Sequence, residues 1–244
     1  MRELKHENIV RYYDKIHDKK QHCLYIVMEY CAGGDLSQII HKCKANDMFI
    51  QEDEIWNILM QVVLALFECH RRKDKRMILH RDLKPSNIFL DEKRSPKLGD
   101  FGFAKALSAP AEGEKMAYAQ TYLGTPSYMS PEQLSGNEYN EKSDIWSLGI
   151  IVYEMAALHT PFQSENSLSL AMKIKQGSFK RLPPRYSEEL MRTVKWMLKP
   201  EPKDRPNVED LLNLPHVSMK LREKALKKNV QHMKKKEDEV RKKE

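Results

Sequence analysis

Glycine is scarce in this chain. Of nine glycines in 244 residues, none precedes Gly33, and no GxGxxG occurs anywhere. A glycine-rich phosphate cradle of that pattern is therefore absent from these residues. Cysteine is also sparse. Cys23, Cys31, Cys43 and Cys69 form no CxxC pair. That argues against a zinc knuckle or a disulfide framework, and it suits reduced thiols in the cytosol or nucleus. Long apolar runs are missing too. "ILMQVVLALF" and "GIIVYEMAAL" reach about half of the roughly 20 residues that a membrane span needs. They read as buried helices, and no membrane association is expected. The first residues are charged with no apolar run behind them, unlike a secretory signal. There is no internal repeat.

What is present is a mixed composition with a lopsided charge. Hydrophobic residues make up 41% and charged residues 32%, which suits a globular core under a charged surface. The net charge is +7, and residues 216–244 carry 11 Lys and Arg against 5 Asp and Glu. That segment alone accounts for +6, so the rest is nearly neutral. The basic tail lacks interleaved aromatics, and no nucleic-acid partner is expected. It reads as a solvated, partly helical extension. Leu214, Val217, Leu221, Val230 and Met233 give it a broken apolar seam. Lys224 and Lys228 stand where a sustained heptad would want apolar residues. Dimerisation or partner binding through this tail is the expectation that follows.

The pattern along the chain divides into a front and a body. Ile9–Ile16 and Cys23–Tyr30 read as two strands around the polar turn "HDKKQ",. From Gln51 to Arg72, Ile55, Ile58, Leu59, Val62, Val63 and Leu66 form a 3.6-residue stripe,. A short hairpin follows in "NIFLDEKRSPKLGD". Residues 103–140 lack periodicity. Helices are expected over 141–158, 167–176, 187–198 and 207–214. Asn207 and Asp210 resemble a capping box.

The chemistry sits in "LHRDLKPSNIFL" and "LGDFGFA". Asp82, Lys84 and Asn87 fall within six residues, and Asp100 follows eighteen residues after Asp82. An acid, a cation, an amide and a second acid suit phosphoryl transfer, which needs metal ligands, charge neutralisation and a positioned hydroxyl. HRDLKPSN, DFG, "GTPSYMSPE" and "SDIWSLG" occur in that order. Together they resemble the eukaryotic protein kinases over about residues 1–215. Lys84 in HRDLKPSN points to the Ser/Thr class. "RYYD", "IVMEYCAGGDL", "CHRRKD", "NEKSDIWSLG" and "PPRYSEEL" are similar to the NIMA-related kinases.

The resemblance implies an α+β kinase-like fold. Residues 1–30 would be the remnant of an N-lobe, 31–215 a complete and mainly helical C-lobe, and 216–244 the basic tail. It implies ATP and Mg²⁺ as cofactors and Ser/Thr-bearing proteins as substrates. Asp82 would accept the substrate proton, and Lys84 would hold the γ-phosphate. Asn87 and Asp100 would ligate the metal. Thr125 would bond Asp82 and Lys84. Met28 would be the gatekeeper, with Glu29 to Cys31 as the adenine hinge. Gly33, Gly34 and Asp35 would shape the ribose edge, although Gly33-Gly34 also reads as a plain turn. Phe89 would pack under adenine, and core packing is compatible with that. Arg81 would pair with a phosphate on the following segment. Thr121 is the best acceptor there, ahead of Ser108 and Tyr122, and its alternative is an ordinary loop hydroxyl. Lys105 would add a second cation. Glu132 and Arg205 would form a buried ion pair, and Asp144 would brace the catalytic loop. Localisation in cytoplasm and nucleus, with centrosome and spindle, follows from the same resemblance.

The start of the chain, "MRELKHENIV", contains helix formers over residues 1–5 with no N-cap,. It reads as the last turns of a helix whose earlier part is missing. Three strands and a paired Lys and Glu would be expected before it. Without that lobe, phosphate transfer by these residues is expected to be poor. One lost donor costs about 3 kcal/mol in a transition state. A non-catalytic interaction module is the rival reading.

Overall fold

The computed structural model describes residues 4–71, 77–100, 105–107 and 126–241. An antiparallel strand pair stands in front of a helical body. Strands β1 (Tyr12–Asp18) and β2 (Cys23–Met28) pair with a register irregularity between Tyr12 and Asp14. In their turn, Asp18 Oδ1 accepts from the backbone N–H groups of Lys20 and Gln21. The first strand starts three residues later and ends two later than the apolar pattern suggests, and the second stops at Met28 instead of Tyr30. Residues 9 and 10 are used elsewhere. Ile9 bridges Leu98, and Val10 N–H donates to the Leu98 carbonyl at 2.9 Å. Asn8 anchors this crossing by donating from Nδ2 to Gln61 Oε1 and to the Pro96 carbonyl, both at 2.8 Å. Leu4 is buried in the core, and residues 4–6 form no helix. This differs from the helix end expected there.

The body is mainly helical. Helix α1 (Leu36–Ala45) is capped by Asp35, whose side chain accepts from Gln38 N–H. Helix α2 (Glu52–His70) has three acids in its first turn, which complement the helix dipole,. One of them, Glu52, accepts from Trp56 Nε1 and from Ser187 N–H, so it also fixes a later helix. Short strands β3 (Met77–Leu79) and β6 (Lys105–Leu107) pair, and β4 (Ile88–Leu90) pairs with β5 (Pro96–Leu98). After α3 (Pro131–Leu134) comes α4 (Glu141–Ala157), which is buried from Ser143 to Tyr153. A helix apolar on all sides belongs at the centre of a core. Helices α5 (Ser167–Gln176), α6 (Glu188–Met197) and α7 (Val208–Leu212) surround it. At α7 the reciprocal box is formed: Asn207 N–H donates to Asp210, and Asp210 N–H donates to Asn207 Oδ1.

The tail is a helix, α8 (Pro215–Arg241). Its seam splits. Val217 is fully buried, Leu221 is half-buried, and Lys220 and Lys224 pair with Asp53 and Glu7. Val230 and Met233 are exposed. Among the described residues, no helix is long and apolar enough to cross a membrane.

Stability therefore resides in the helical body. Ile151, at 0% exposure, sits on α4, whereas Ile26 on β2 is 55% exposed. Ile151→Ala should cost about 2–5 kcal/mol. Ile26→Ala should stay within about 0.5 kcal/mol. Urea unfolding of both variants measures the contrast.

Candidate active site

The loop from His80 to Asn87 is held from below by Asp144, a carboxylate with no solvent exposure. Its Oδ2 accepts from the His80 backbone N–H (3.1 Å) and from His70 Nε2 (2.8 Å). Its Oδ1 accepts from the Arg81 backbone N–H (3.2 Å) and the Tyr139 hydroxyl. Burial pushes the Asp144 carboxyl upward, but the His70 bond and charge, with His80 and Tyr139, outweigh it and leave the group below its ordinary range. Arg81 adopts φ +71, a left-handed conformation that a non-glycine residue holds only when its surroundings impose it,. The two amide bonds to Asp144, from His80 and from Arg81 itself, fix the backbone that enters this strained position.

His80 adds a second tie. Burial keeps its pKa below the usual histidine value. The neutral ring with hydrogen on Nε2 meets both of its neighbours. Nε2–H donates to the Gly99 carbonyl at 2.8 Å, and Nδ1 accepts from Asp82 N–H at 3.3 Å. Thus one imidazole joins the loop bearing Asp82 to the residue before Asp100.

The candidate side chains converge next to this support. Lys84 Nζ donates to Asp82 Oδ2 at 2.8 Å, and Asn87 Nδ2 donates to the same oxygen at 3.0 Å and to the Asp82 carbonyl at 2.7 Å. Asp82 is therefore positioned by a cation and an amide. The bonds from Asn87 Nδ2 direct that nitrogen inward, and its carbonyl oxygen is the atom left for a cation. Asp100 is exposed, at φ +51. Among the described residues, no group of three or more His, Cys, Asp or Glu could hold a metal ion. An amide oxygen and one carboxylate nevertheless fit Mg²⁺, which keeps several waters and takes further oxygens from phosphates.

Beside the loop lies a cleft of about 460 Å³, lined among others by Val10, Met28, Glu29, Cys31, Asp35 and Phe89. Close backbone approach shapes it. A Cβ on Gly33 would stand 2.5 Å from the Asp91 carbonyl, and one on Gly99 would stand 2.7 Å from the Phe89 ring. Glu29 is fixed by Lys97 Nζ at 2.9 Å and by Arg11 N–H at 3.1 Å. Burial raises its pKa, and the Lys97 bond with the Arg11 amide more than reverses that.

Glu132 and Arg205 meet in a two-pronged pair, both bonds at 2.8 Å, with each residue buried. Arg205 also donates to the carbonyls of Lys199, Pro200 and Lys142 and lies over the Trp146 ring. Thr121, Thr125, Ser108 and Tyr122 lie outside the described residues, and so does the Lys105 side chain. The Arg81 guanidinium lies 5.9 Å from the Tyr139 ring centre.

Sequence reasoning missed His70, Tyr139, Lys97 and Gln61. His70 stands inside "CHRRKD", which carried only a family likeness. The other three give no local signal, because their partners lie 5 to 68 residues away in sequence.

A family model described as "Protein kinase domain" matches residues 1–217. The chain is 48% identical over 241 residues to "Probable serine/threonine-protein kinase nek2" of Dictyostelium discoideum, covering 99% of this chain and 56% of that protein. It is 49% identical over 219 residues to human "Serine/threonine-protein kinase Nek2", covering 89% and 48%. It is 39% identical over 246 residues to "G2-specific protein kinase nimA" of Emericella nidulans, covering 91% and 34%. The chain spans about half the length of the first two relatives.

The buried pair has a pH signature. Burial opposes ionisation of Glu132, but Arg205 and Ser143 hold its pKa below the usual value. Its contribution to stability is present above roughly pH 4.3, the unfolded Glu value, and is lost as pH falls through the lower folded value. Glu132→Gln strands a buried guanidinium and should cost about 3–5 kcal/mol at pH 7. The gap from the unmodified chain should narrow below pH 4 in thermal melts.

Proposed function

The chain belongs to the protein kinase family, in its NIMA-related Ser/Thr branch, and from that premise we propose that it transfers the γ-phosphate of ATP to Ser or Thr hydroxyls of proteins. The observation that carries the reading is the convergence of Lys84 and Asn87 on one Asp82 oxygen. Asp82 accepts the proton of the incoming hydroxyl. The oxygen of that Ser or Thr hydroxyl bonds to the γ-phosphorus as the bond from phosphorus to the β-phosphate oxygen breaks, and ADP leaves. Lys84 balances charge on the transferred group and holds the Asp82 carboxylate in place. The amide nitrogen of Asn87 restrains the same carboxylate, and its carbonyl oxygen with Asp100 would hold Mg²⁺. Bound Mg²⁺ would supply neutralisation of phosphate charge. The cleft at Met28, Glu29 and Cys31 takes the adenine, with Phe89 beneath it and Asp35 at the ribose edge.

Residues 1–30 serve in this reading as the hinge-side part of an N-lobe, 31–215 as the C-lobe, and 216–244 as an appended helix. Arg81 would receive a phosphate on Thr121, a charge-assisted contact that orders the segment, while Thr125 would set the hydroxyl beside Asp82. The printed names of relatives, "G2-specific protein kinase nimA" among them, support a cell-cycle role. We place that role in mitotic and centrosomal regulation, in cytoplasm and nucleus.

These 244 residues contain no GxGxxG, so the assay joins them to the glycine-rich-loop lobe of a NIMA-related relative. The joined chain should phosphorylate Ser or Thr peptides, and Asp82→Asn should lower kcat at least about a thousandfold. Absence of transfer from a folded, ATP-binding joined chain would overturn the reading. In a second measurement, ATP at a hundredfold excess over Kd should stabilise the joined chain by about 2.7 kcal/mol. Residues 1–244 alone should show almost no thermal shift at millimolar ATP. A shift of several degrees in residues 1–244, lost in Asp100→Ala, would show that the glycine-rich lobe matters less than argued.

A further inference from the structure

Helix α8 carries two faces. One packs against the body through Val217, Leu221, Lys220 and Lys224. On the opposite side Met219, Leu226, Val230 and Met233 are 52%, 64%, 53% and 60% exposed. At 3.6 residues per turn these four fall within an arc of about 60°. Met219, Leu226 and Met233 repeat every seven residues, as d positions, and Val230 takes an a position,. An arc this narrow is the seam of a helix pair. A helix buried in a lipid interface or laid in a broad groove presents an apolar face of 100° or more. Glu223, at the preceding a position, stands on the edge of the seam, where an anionic lipid surface would repel it.

The charges beside the seam select the occupant. Arg222 and Lys236 flank one side, and Lys227 and Lys234 flank the other. In a parallel pair of two copies, Arg222 would face Lys227 of the second copy, and the two Glu223 side chains would meet across the seam. Like charges at these positions disfavour pairing and so decide partner choice. The geometry points to an acidic amphipathic helix of another protein as the occupant of this face. Its a and d positions would be apolar, its e and g positions Glu or Asp, with one Lys or Arg opposite Glu223. The assignment does not rest on the kinase reading, and its test needs no catalytic activity.

Residues 1–244 are titrated against two labelled synthetic peptides of four heptads, with Leu at a and d. One has Glu at e and g and a single Lys at the a position that meets Glu223. The other has Lys at e and g. The acidic peptide should bind at least tenfold tighter. Leu226→Ser with Val230→Ser should weaken it at least tenfold without moving the melting temperature of the body. Lys227→Glu with Lys234→Glu should bring the two affinities together or invert them. Equal binding of both peptides by the unmodified chain, or no binding of the acidic one, would overturn the proposal. So would a self-associated chain, seen by light scattering, that the Ser pair dissociates. Sedimentation with phosphatidylserine vesicles that the Ser pair abolishes would assign the face to lipid instead.

Discussion

Four donors from three separate segments meet on the carboxylate of Asp144, which has no access to water. His70 comes from the end of α2, Tyr139 from the approach to α4, and the His80 and Arg81 amides from the loop that bears Asp82. Burying a charge is expensive unless its hydrogen bonds are made. Each bond to a charged acceptor recovers about 1.5–3 kcal/mol. The site is therefore nearly all-or-none, and a loop that drifted away would strand the charge. This constraint is what lets Arg81 remain at φ +71. It also delivers Asp82, the next residue, to a fixed position against Lys84 and Asn87.

The support continues outward through neutral groups. His80 ties the Asp82 loop to Gly99, whose missing Cβ lets Phe89 close over it. Phe89 lies on β4 and lines the cleft that Glu29 borders. Glu29 in turn is pinned by Lys97 of β5. The cleft and the loop that bears Asp82 thus both lean on one small hairpin. The ion pair of Glu132 and Arg205 acts at the other end of the body. It joins α3 to the turn before α7, with Trp146 of α4 beneath the guanidinium.

Legibility in the sequence followed the range of the interaction. The stripe of α2, the span of α5 and the Asn207–Asp210 box were readable because helix periodicity and capping act within a few residues. Order and spacing single out Asp82, Lys84, Asn87 and Asp100, and the structure brings Lys84 and Asn87 onto Asp82. The first strand was misjudged because Ile9 and Val10, apolar and β-prone, bridge to Leu98 instead of continuing the hairpin. Of the helical run expected over residues 1–5, residues 4 and 5 are described and lie outside a helix, where Leu4 is buried in the core instead. On α8 the tail read as one broken seam. Its apolar residues belong to two faces, one packed and one open, and only the body's surface distinguishes them. His70 and Tyr139 gave no signal, since their importance lies in a partner that folding brings to them.

Asp144 holds the loop of residues 80–87 in place. Amide hydrogen exchange in Asp144→Asn reads it most directly, at the N–H groups of His80 and Arg81. The account predicts much faster exchange at those two amides, with protection kept at Leu90 and Leu98 in the β4–β5 hairpin. Unchanged rates at His80 and Arg81 would contradict it.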